Sequence, residues 1–403
     1  MLERVPGFRL DRLKRLTDDT GVIQHALYAL PNAHFGYSVD DQARALIVVL
    51  KHFNLSGRWE SLNLVATYLR FLNYAQMADG RFHNFMSYDR RWEDSTGSED
   101  SNGRVIWALG YAALTGVEED FQMTARTMLL RSYQWLERLE HLRSRAFAII
   151  GLYYYLRAEP EDLFARNIIA KHADALVAAF NVNSSPDWQW FEDILTYSNG
   201  RIPQALFLAY LATWNHRYLE IAKASLDFLL QVAHIDSRDY ISLVGQDGWY
   251  RRGGLRAKFD QQPVDANALL DACLVAYQVL NEKKYLTEAH KAFAWYHGAN
   301  TLGISLYCEH TGGCFDGLTP NGANRNQGAE STISYLLSYL NMVEEGQLAL
   351  NELTREKRQP QLVVPRLVPL QPPKYMDVPE NPAGVHEVQP HGRLPDIPEQ
   401  LHS

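Results

Sequence analysis

The sequence predicts an all-α protein, an (α/α)6 toroid of six inner and six outer helices with long loops gathered on one face. Three observations lead there. Six segments are apolar nearly all round, amphipathic segments alternate with them, and the connections are long in one direction and short in the other. A helix that is apolar on every side must be buried on every side, whereas one with a charged face lies outside with a single stripe turned inward.

Each inner segment opens on a polar cluster. Ser38-Val39-Asp40-Asp41-Gln42-Ala43-Arg44 leads into ALIVVLKHF, and Ser98-Glu99-Asp100-Ser101-Asn102-Gly103-Arg104 leads into VIWALGYAAL. Glu140-His141-Leu142-Arg143-Ser144-Arg145 precedes AFAIIGLYYYL, and Tyr197-Ser198-Asn199-Gly200-Arg201-Ile202-Pro203 precedes ALFLAYLATW. Gln262-Pro263-Val264-Asp265-Ala266-Asn267 opens ALLDACLVAYQVL, and Asn326-Gln327-Gly328-Ala329-Glu330-Ser331-Thr332 opens ISYLLSYLNMV. Small residues such as Ala43, Ala108, Gly110, Gly151 and Ala205 recur on these segments and permit close helix approach.

The outer helices are expected at 59–77, 120–139, 161–180, 217–233 and 283–299, with DRLKRLTDDTGVIQHALYAL before Pro31 supplying the outer helix that precedes the first inner one. The repeat is roughly 40–65 residues, within or just above the range of repeat architectures. An open helical solenoid is the competing arrangement. Closure is favoured because the inner helices are too apolar for an exposed groove, because there are six, and because neither end carries a polar capping repeat.

Links from inner to outer helix are short, whereas 78–99, 181–197, 234–264 and 299–327 are long and rich in Gly, Trp, Tyr, Asn and charge. Long structured loops usually carry function. In a toroid they all meet at the N-termini of the inner helices, where six positive dipole ends surround a crater. The toroid is expected over 1–350. After about Glu356 proline recurs without helical period, so 351–403 reads as an extended Pro-rich tail whose Val363, Val364, Leu367, Val368 and Leu370 pack on the body.

Composition narrows the function. The 403 residues are 46% apolar and 12% aromatic, ample for a large core. A net charge of −8 argues against nucleic acid or an anionic membrane as the main partner. No apolar run reaches the ~18–20 residues of a spanning helix, and the N-terminus has no uninterrupted apolar stretch of the signal-peptide kind. Three cysteines, an odd number in a long chain, fit a reduced cytoplasmic protein. Cys308, His310 and Cys314 are near enough to share a metal, but no C-x-x-C pair or H-E-x-x-H helix accompanies them, so no metal is expected. Phosphate-binding glycine loops and a G-x-S-x-G elbow are missing too, so no cofactor is expected.

What remains is a sugar-processing kit: carboxylates for proton transfer, rings to stack on pyranose faces, and amide or guanidinium groups to hold hydroxyls. The stretch from Gly80 to Leu109 contains all three, with His83, Tyr88 and Trp92 followed by Glu99, Asp100, Asn102 and Arg104. Glu99 and Asp100 also suit the first turn of a helix, so one is expected to cap or to pair with Arg104 while the other projects inward. Asp40 and Asp41 pose the same choice, with Asp41 the inward one, and His34 and Tyr37 beside them on the same wall. Trp190 and Glu192 read as a sugar platform with a neighbouring acid, or as anchors pinning a loop. Asn199 and Arg201 enter the fourth inner helix, Trp249 sits in the loop before Asp265, and Asn326 and Glu330 open the last. Glu330 is either a dipole-stabilised acid or a catalytic carboxylate.

These residues resemble those of the (α/α)6-toroid carbohydrate-active proteins, a group that includes glycoside hydrolases, some polysaccharide lyases and the N-acylglucosamine 2-epimerases. More narrowly, HFGYSVDDQARAL, GRFHNFMSYDRRWEDSTGSEDSNGR and NRNQGAEST look like a loosely annotated bacterial family associated with glycosyltransfer, over roughly residues 10–345. The chain itself lacks the alternating strand–helix pattern of a nucleotide-sugar domain.

The resulting expectation is a glycoside hydrolase-like enzyme acting on an oligosaccharide. Its paired acids are Asp41 and Asp100, with Glu99, Glu192, Asp265 and Glu330 as replacements. His34, Tyr37, His83, Tyr88, Arg104, Trp190, Asn199, Arg201, Trp249 and Asn326 are the expected sugar-binding residues. The alternatives are a sugar epimerase or isomerase using histidines such as His34, His83 or His310, and a non-catalytic glycan-binding module. A homodimer is compatible with this reading; nucleic-acid and membrane partners are not expected.

Overall fold

The computed structural model describes residues 6–115, 118–347 and 367–371. Outer and inner helices alternate along the chain: α1 (Asp11–Leu16) and α2 (Val39–Ser56), α3 (Glu60–Ala75) and α4 (Glu99–Leu114), then α5 (Glu119–Arg131), α6 (Tyr133–Leu136) and α7 (Leu142–Ala158). They continue with α8 (Leu163–Asn183) and α9 (Arg201–Thr213), α10 (His216–Ala233) and α11 (Pro263–Leu280), and α12 (Lys283–Trp295) and α13 (Ala329–Glu344).

The inner helices start where the polar clusters are. Ser38 and Ser98 cap α2 and α4, each hydroxyl accepting the backbone N–H three residues on, from Asp41 and Ser101. Proline at the first position of α11 gives up an N–H that would have no partner there. At the other end, α2 stops at Gly57 and α11 at Asn281, both in left-handed backbone.

The inner helices form a closed ring. α2 packs on α4, α4 on α7, α7 on α9, α9 on α11, α11 on α13, and α13 returns to α2. The protein has the (α/α)6-toroid fold, not an open solenoid. Glycine sets the closest of these contacts: a Cβ on Gly110 would lie 1.9 Å from the Gly151 carbonyl oxygen, and one on Gly151 would lie 2.2 Å from that of Ile106. Gly103 faces Ser144 in the same way, so α4 and α7 run parallel with their backbones in contact.

The segment expected as an outer helix before Pro31 is helical only over Asp11–Leu16. Thr17-Asp18-Asp19-Thr20-Gly21 is turn chemistry: the Asp18 carboxylate accepts the backbone N–H groups of Thr20 and Gly21 at 2.8 and 3.1 Å. The chain then runs antiparallel, with Ile23 opposite Tyr37 and a hairpin pairing Ala26–Leu27 with Leu30–Pro31. This detour takes Gln24 and His25 to the crater.

The long loops are laced to one another. Tyr37–Ser38 pairs with Phe85–Met86, Ile194–Leu195 with Tyr250–Arg251, and Gln261 with Leu318. Each crater wall is thus held from two sides.

Of the Pro-rich tail, residues 367–371 lie on the body. Leu370 is buried, its N–H donating to the Leu211 carbonyl at 2.9 Å and its carbonyl accepting the Trp214 indole N–H at 2.8 Å. Val363 and Val364 fall outside the described residues. Among the described residues no helix is long and apolar enough to cross a membrane.

Candidate active site

The crater narrows to a cavity of about 450 Å³ at the N-terminal ends of α2, α4, α11 and α13. Among the described residues its lining holds six carboxylates, Asp40, Asp41, Asp100, Asp260, Asp316 and Glu330, with Arg44 and one histidine, His25. Around them stand Ser38, Ser98, Ser101, Asn84, Gln262, Asn324 and Asn326, with Phe85 as the ring at the wall.

Buried arginines organise the floor. Arg44 binds Asp40 through two nitrogens at 2.7 and 3.1 Å, Asp41 at 3.0 Å and Glu330 at 3.1 Å, which ties α2 to α13. Arg104 holds Asp100 at 2.9 Å and reaches within 3.5 Å of Asp40, which ties α4 to α2. The other Asp100 oxygen accepts the Tyr197 hydroxyl at 2.9 Å. The Arg104 guanidinium lies over the Phe147 ring, 4.5 Å from its centroid.

These surroundings separate the acids. Burial would raise Asp100, but the Arg104 charge, the hydrogen bonds from Arg104 and Tyr197, and the more distant Arg143 outweigh it and hold the carboxyl below its usual range. Burial pushes Asp260 up to about 6, with Asp247 and Asp316 adding repulsion against a hydrogen bond from Gln262. One buried Asp260 oxygen has no partner among the described residues. Asp41 is also raised: burial leads, and Arg44, whose one charge is shared with Asp40 and Glu330, compensates only in part. Burial raises Asp316 too, against hydrogen bonds from Ser331 and the Gly328 N–H.

The cavity gathers some of the expected residues and leaves out others. Asp41, Asp100, Glu330 and Asn326 line it, and Arg104 lies directly behind Asp100. Asp41 is the more enclosed of its pair, because the Ser38 hydroxyl both accepts its N–H and donates to its carboxylate; Asp40 keeps 22% of its side chain exposed. Glu99 turns away and accepts the N–H groups of Glu140 and His141 ahead of α7. Asp100 pairs with Arg104 and faces the cavity at once.

Glu192 is tied to Arg143 at 2.9 Å, and the same arginine donates to Asn199 at 3.0 Å, so both serve the loop before α9. Trp190 is fully buried against Phe191 and offers no face to a sugar. Trp249 packs on the core. Arg201 lies below the crater, bound to Asp271, Asn267 and Gln204 and stacked on Trp107.

Tyr37 is buried with its hydroxyl on Asp18, and the exposed Tyr88 stacks on it at 6.1 Å. His34 is exposed in a 3-10 turn, and His310 is exposed as well. His83 is held between Asp94 at 3.0 Å and the Trp92 ring. The anchoring alternative therefore describes Trp190 and Glu192, and a structural role describes His83.

Gln24, His25 and Asp316 are cavity residues that the sequence did not single out, and Asp260 appeared there only as part of a charged loop. Asp260 directly precedes the polar opening of α11, the one signal that could have marked it. His25 was hidden inside a segment that reads as helix.

Asp265 is buried where α9 and α11 meet, one oxygen accepting the Ser198 N–H and the other without a partner among the described residues, and burial pushes it up to about 7. The unfolded chain gives up this proton near 3.8, the folded chain near 7. Its stabilising contribution is therefore complete below the unfolded value and is lost as pH rises toward the folded one. Asp265→Asn is expected to remove a decline on the order of 3–4 kcal/mol, measured as the difference between urea melts of the two proteins at about pH 4 and about pH 8.

No protein-family model matches this sequence, and a search of curated proteins finds no relative. Solved structures do match. A D-mannose isomerase superposes with a TM-score of 0.65 at 12% identity, over 84% of this chain and 96% of its own. The cellobiose 2-epimerase of Bacillus thermoamylovorans gives 0.63 at 10% identity, over 83% and 96%. A GH76 α-mannanase of Bacteroides thetaiotaomicron gives 0.58 at 13% identity, over 83% and 94%. The fold is that of the toroid carbohydrate-active enzymes. At these identities the likeness speaks for the architecture of the toroid and leaves its chemistry to the cavity.

Proposed function

We propose that the crater is the active site of a glycoside hydrolase-like enzyme acting on an oligosaccharide. The observation that carries this reading is a pair of carboxyl groups in one cavity with opposite proton affinities, Asp260 raised and Asp100 lowered. Glycosidic cleavage needs one of each.

Asp260 gives its proton to the glycosidic oxygen as the bond from that oxygen to the anomeric carbon breaks. Asp100, ionised and oriented by Arg104 and Tyr197, either takes a proton from the attacking water or itself attacks the anomeric carbon. Asp40 and Glu330, held by Arg44, add negative charge beside the positive charge that develops on the sugar ring. The lining asparagines, glutamines and serines bind hydroxyls, and Phe85 supplies an apolar wall.

A second reading, an aldose–ketose isomerase or a 2-epimerase, is favoured by His25 in the lining and by neighbours of that description. It requires a base that removes the proton from C2 of a reducing sugar.

One experiment separates the two. The protein is incubated in D2O with manno-, gluco- and galacto-oligosaccharides, aryl glycosides and free mannose, beside Asp100→Asn and His25→Ala. Hydrolysis lost in Asp100→Asn and kept in His25→Ala is the expected result. Deuterium entering C2 of mannose without hydrolysis, and lost in His25→Ala, would replace the hydrolase reading with the isomerase one.

A further inference from the structure

The helices that build the crater also build a second cavity. At the opposite end of the ring, the C-terminal halves of α2, α4, α11 and α13, joined by α7 and α9, surround about 520 Å³. Four rings stand in its wall, Trp107, Tyr111, Tyr154 and Tyr277, and the polar groups Gln204, Asp271 and Asn341 lie among them.

Two ion pairs neutralise most of the charge here. Lys51 pairs with Glu344 at 2.5 Å, and Asp271 pairs with Arg201, also at 2.5 Å. Neither pair leaves a charge to select an ion, in contrast to the acid-rich crater.

Hydrogen-bonding capacity is left over. Among the described residues the buried Asn341 side-chain oxygen has no partner, while its nitrogen donates to Asp271. Gln204 uses its amide oxygen to accept from Arg201 at 2.7 Å, which leaves its NH2 to donate. Burial raises the Tyr154 hydroxyl far above the usual phenol range, so it remains a neutral donor.

We infer that this second cavity is a non-catalytic binding site for a neutral sugar or polyol. The rings provide apolar faces for C–H edges. Donors and acceptors side by side suit hydroxyl groups, which are both at once. An apolar ligand would leave the Asn341 oxygen and the Gln204 amide buried and unsatisfied. A charged ligand would find its counter-charges already paired. Of the three acids in the lining, Asp271 and Glu344 are locked in ion pairs and Glu345 is engaged as well, so the site binds without cleaving. The inference holds whether the crater hydrolyses or isomerises.

The test is calorimetric titration of the full chain with mannose, cellobiose and myo-inositol, and with glucose 6-phosphate as the charged control, up to about 10 mM. Two variants accompany the wild type. Gln278→Trp replaces an exposed lining residue and narrows the cavity, and Asn341→Leu removes the unpartnered oxygen. Trp107 is the internal reporter, read by ligand-induced change in tryptophan fluorescence and compared with Trp107→Phe.

The expected result is a binding event for at least one neutral probe that weakens tenfold or more in Gln278→Trp, at unchanged melting temperature. The fluorescence change should be lost in Trp107→Phe, and glucose 6-phosphate should not compete. Binding that is the same in wild type and Gln278→Trp, a fluorescence change that survives in Trp107→Phe, or no binding of any neutral probe, would each overturn the inference. Should Asn341→Leu melt early, Gln278→Trp decides alone.

Discussion

Asp260→Asn is expected to lower kcat on an oligosaccharide by about 10²–10⁴-fold, the range for loss of a positioned acid, while leaving the fold intact. The residue is half-buried in a loop, and its burial and the neighbouring Asp247 and Asp316 are what hold its proton at about pH 6. The sign of the pH dependence follows. Turnover requires Asp260 protonated and Asp100 ionised, so activity falls as pH rises through about 6 and falls again only below the usual aspartate range, where Asp100 titrates. Aryl glycosides with good leaving groups need no protonation, so Asp260→Asn should lose far less on them, and the limb near pH 6 should flatten. Asp100→Asn should disable both substrates. Initial rates of the two variants on both substrates across pH 3–9 check this; equal losses on both for Asp260→Asn would remove it from the acid role.

Arg201→Ala is expected to be the most damaging single change to stability, about 3–5 kcal/mol, because it strands a buried carboxylate. Arg201 and Asp271 are both almost fully buried, and the same guanidinium also donates to Gln204 and Asn267 and stacks on Trp107. Removing it leaves Asp271 without its counter-charge, with the amides of Asn267 and Asn341 as its side-chain donors among the described residues. A double variant, Arg201→Met with Asp271→Leu, should regain much of the loss, since two apolar side chains carry no desolvation penalty. Urea melts of the single and double variants read the comparison; a single variant as stable as wild type would mean that water reaches Asp271 and screens it.

The catalytic reading and the structural one differ most at Arg201. From the sequence it stands at the start of an inner helix, as Arg44 and Arg104 do near theirs, and all three look equally suited to hold a sugar. Arg44 lines the cavity and Arg104 backs it because the acids they bind, Asp40, Asp41, Asp100 and Glu330, sit in the first turns of α2, α4 and α13. The partner of Arg201, Asp271, is the ninth residue of α11, in its third turn, so the pair sinks below the floor. A difference of six or seven residues in where the partner sits along its helix separates a site residue from a core residue, and periodicity along the helix of Arg201 carries no trace of it.

Trp190 and Glu192 show the same limit. Their composition suits a sugar platform, but which way a loop turns its rings depends on what it packs against, here Phe191 and Arg143. His25 and Gln24 reached the cavity through a turn at Asp18, whose side chain competes with the helix for backbone N–H groups.

By itself the sequence determined the six inner helices, their polar openings, the outer helices except the first, and the face on which the long loops gather. These follow from patterns along the chain, namely apolar residues on every side of a helix, capping hydroxyls and loop length. Only the tertiary structure decided which acids share the cavity, which arginines hold them and which rings are spent on the core. Proton affinity and access are set by neighbours that are distant in sequence: Asp100 is lowered by Arg104 and Tyr197, and Asp260 is raised by burial beside Asp316.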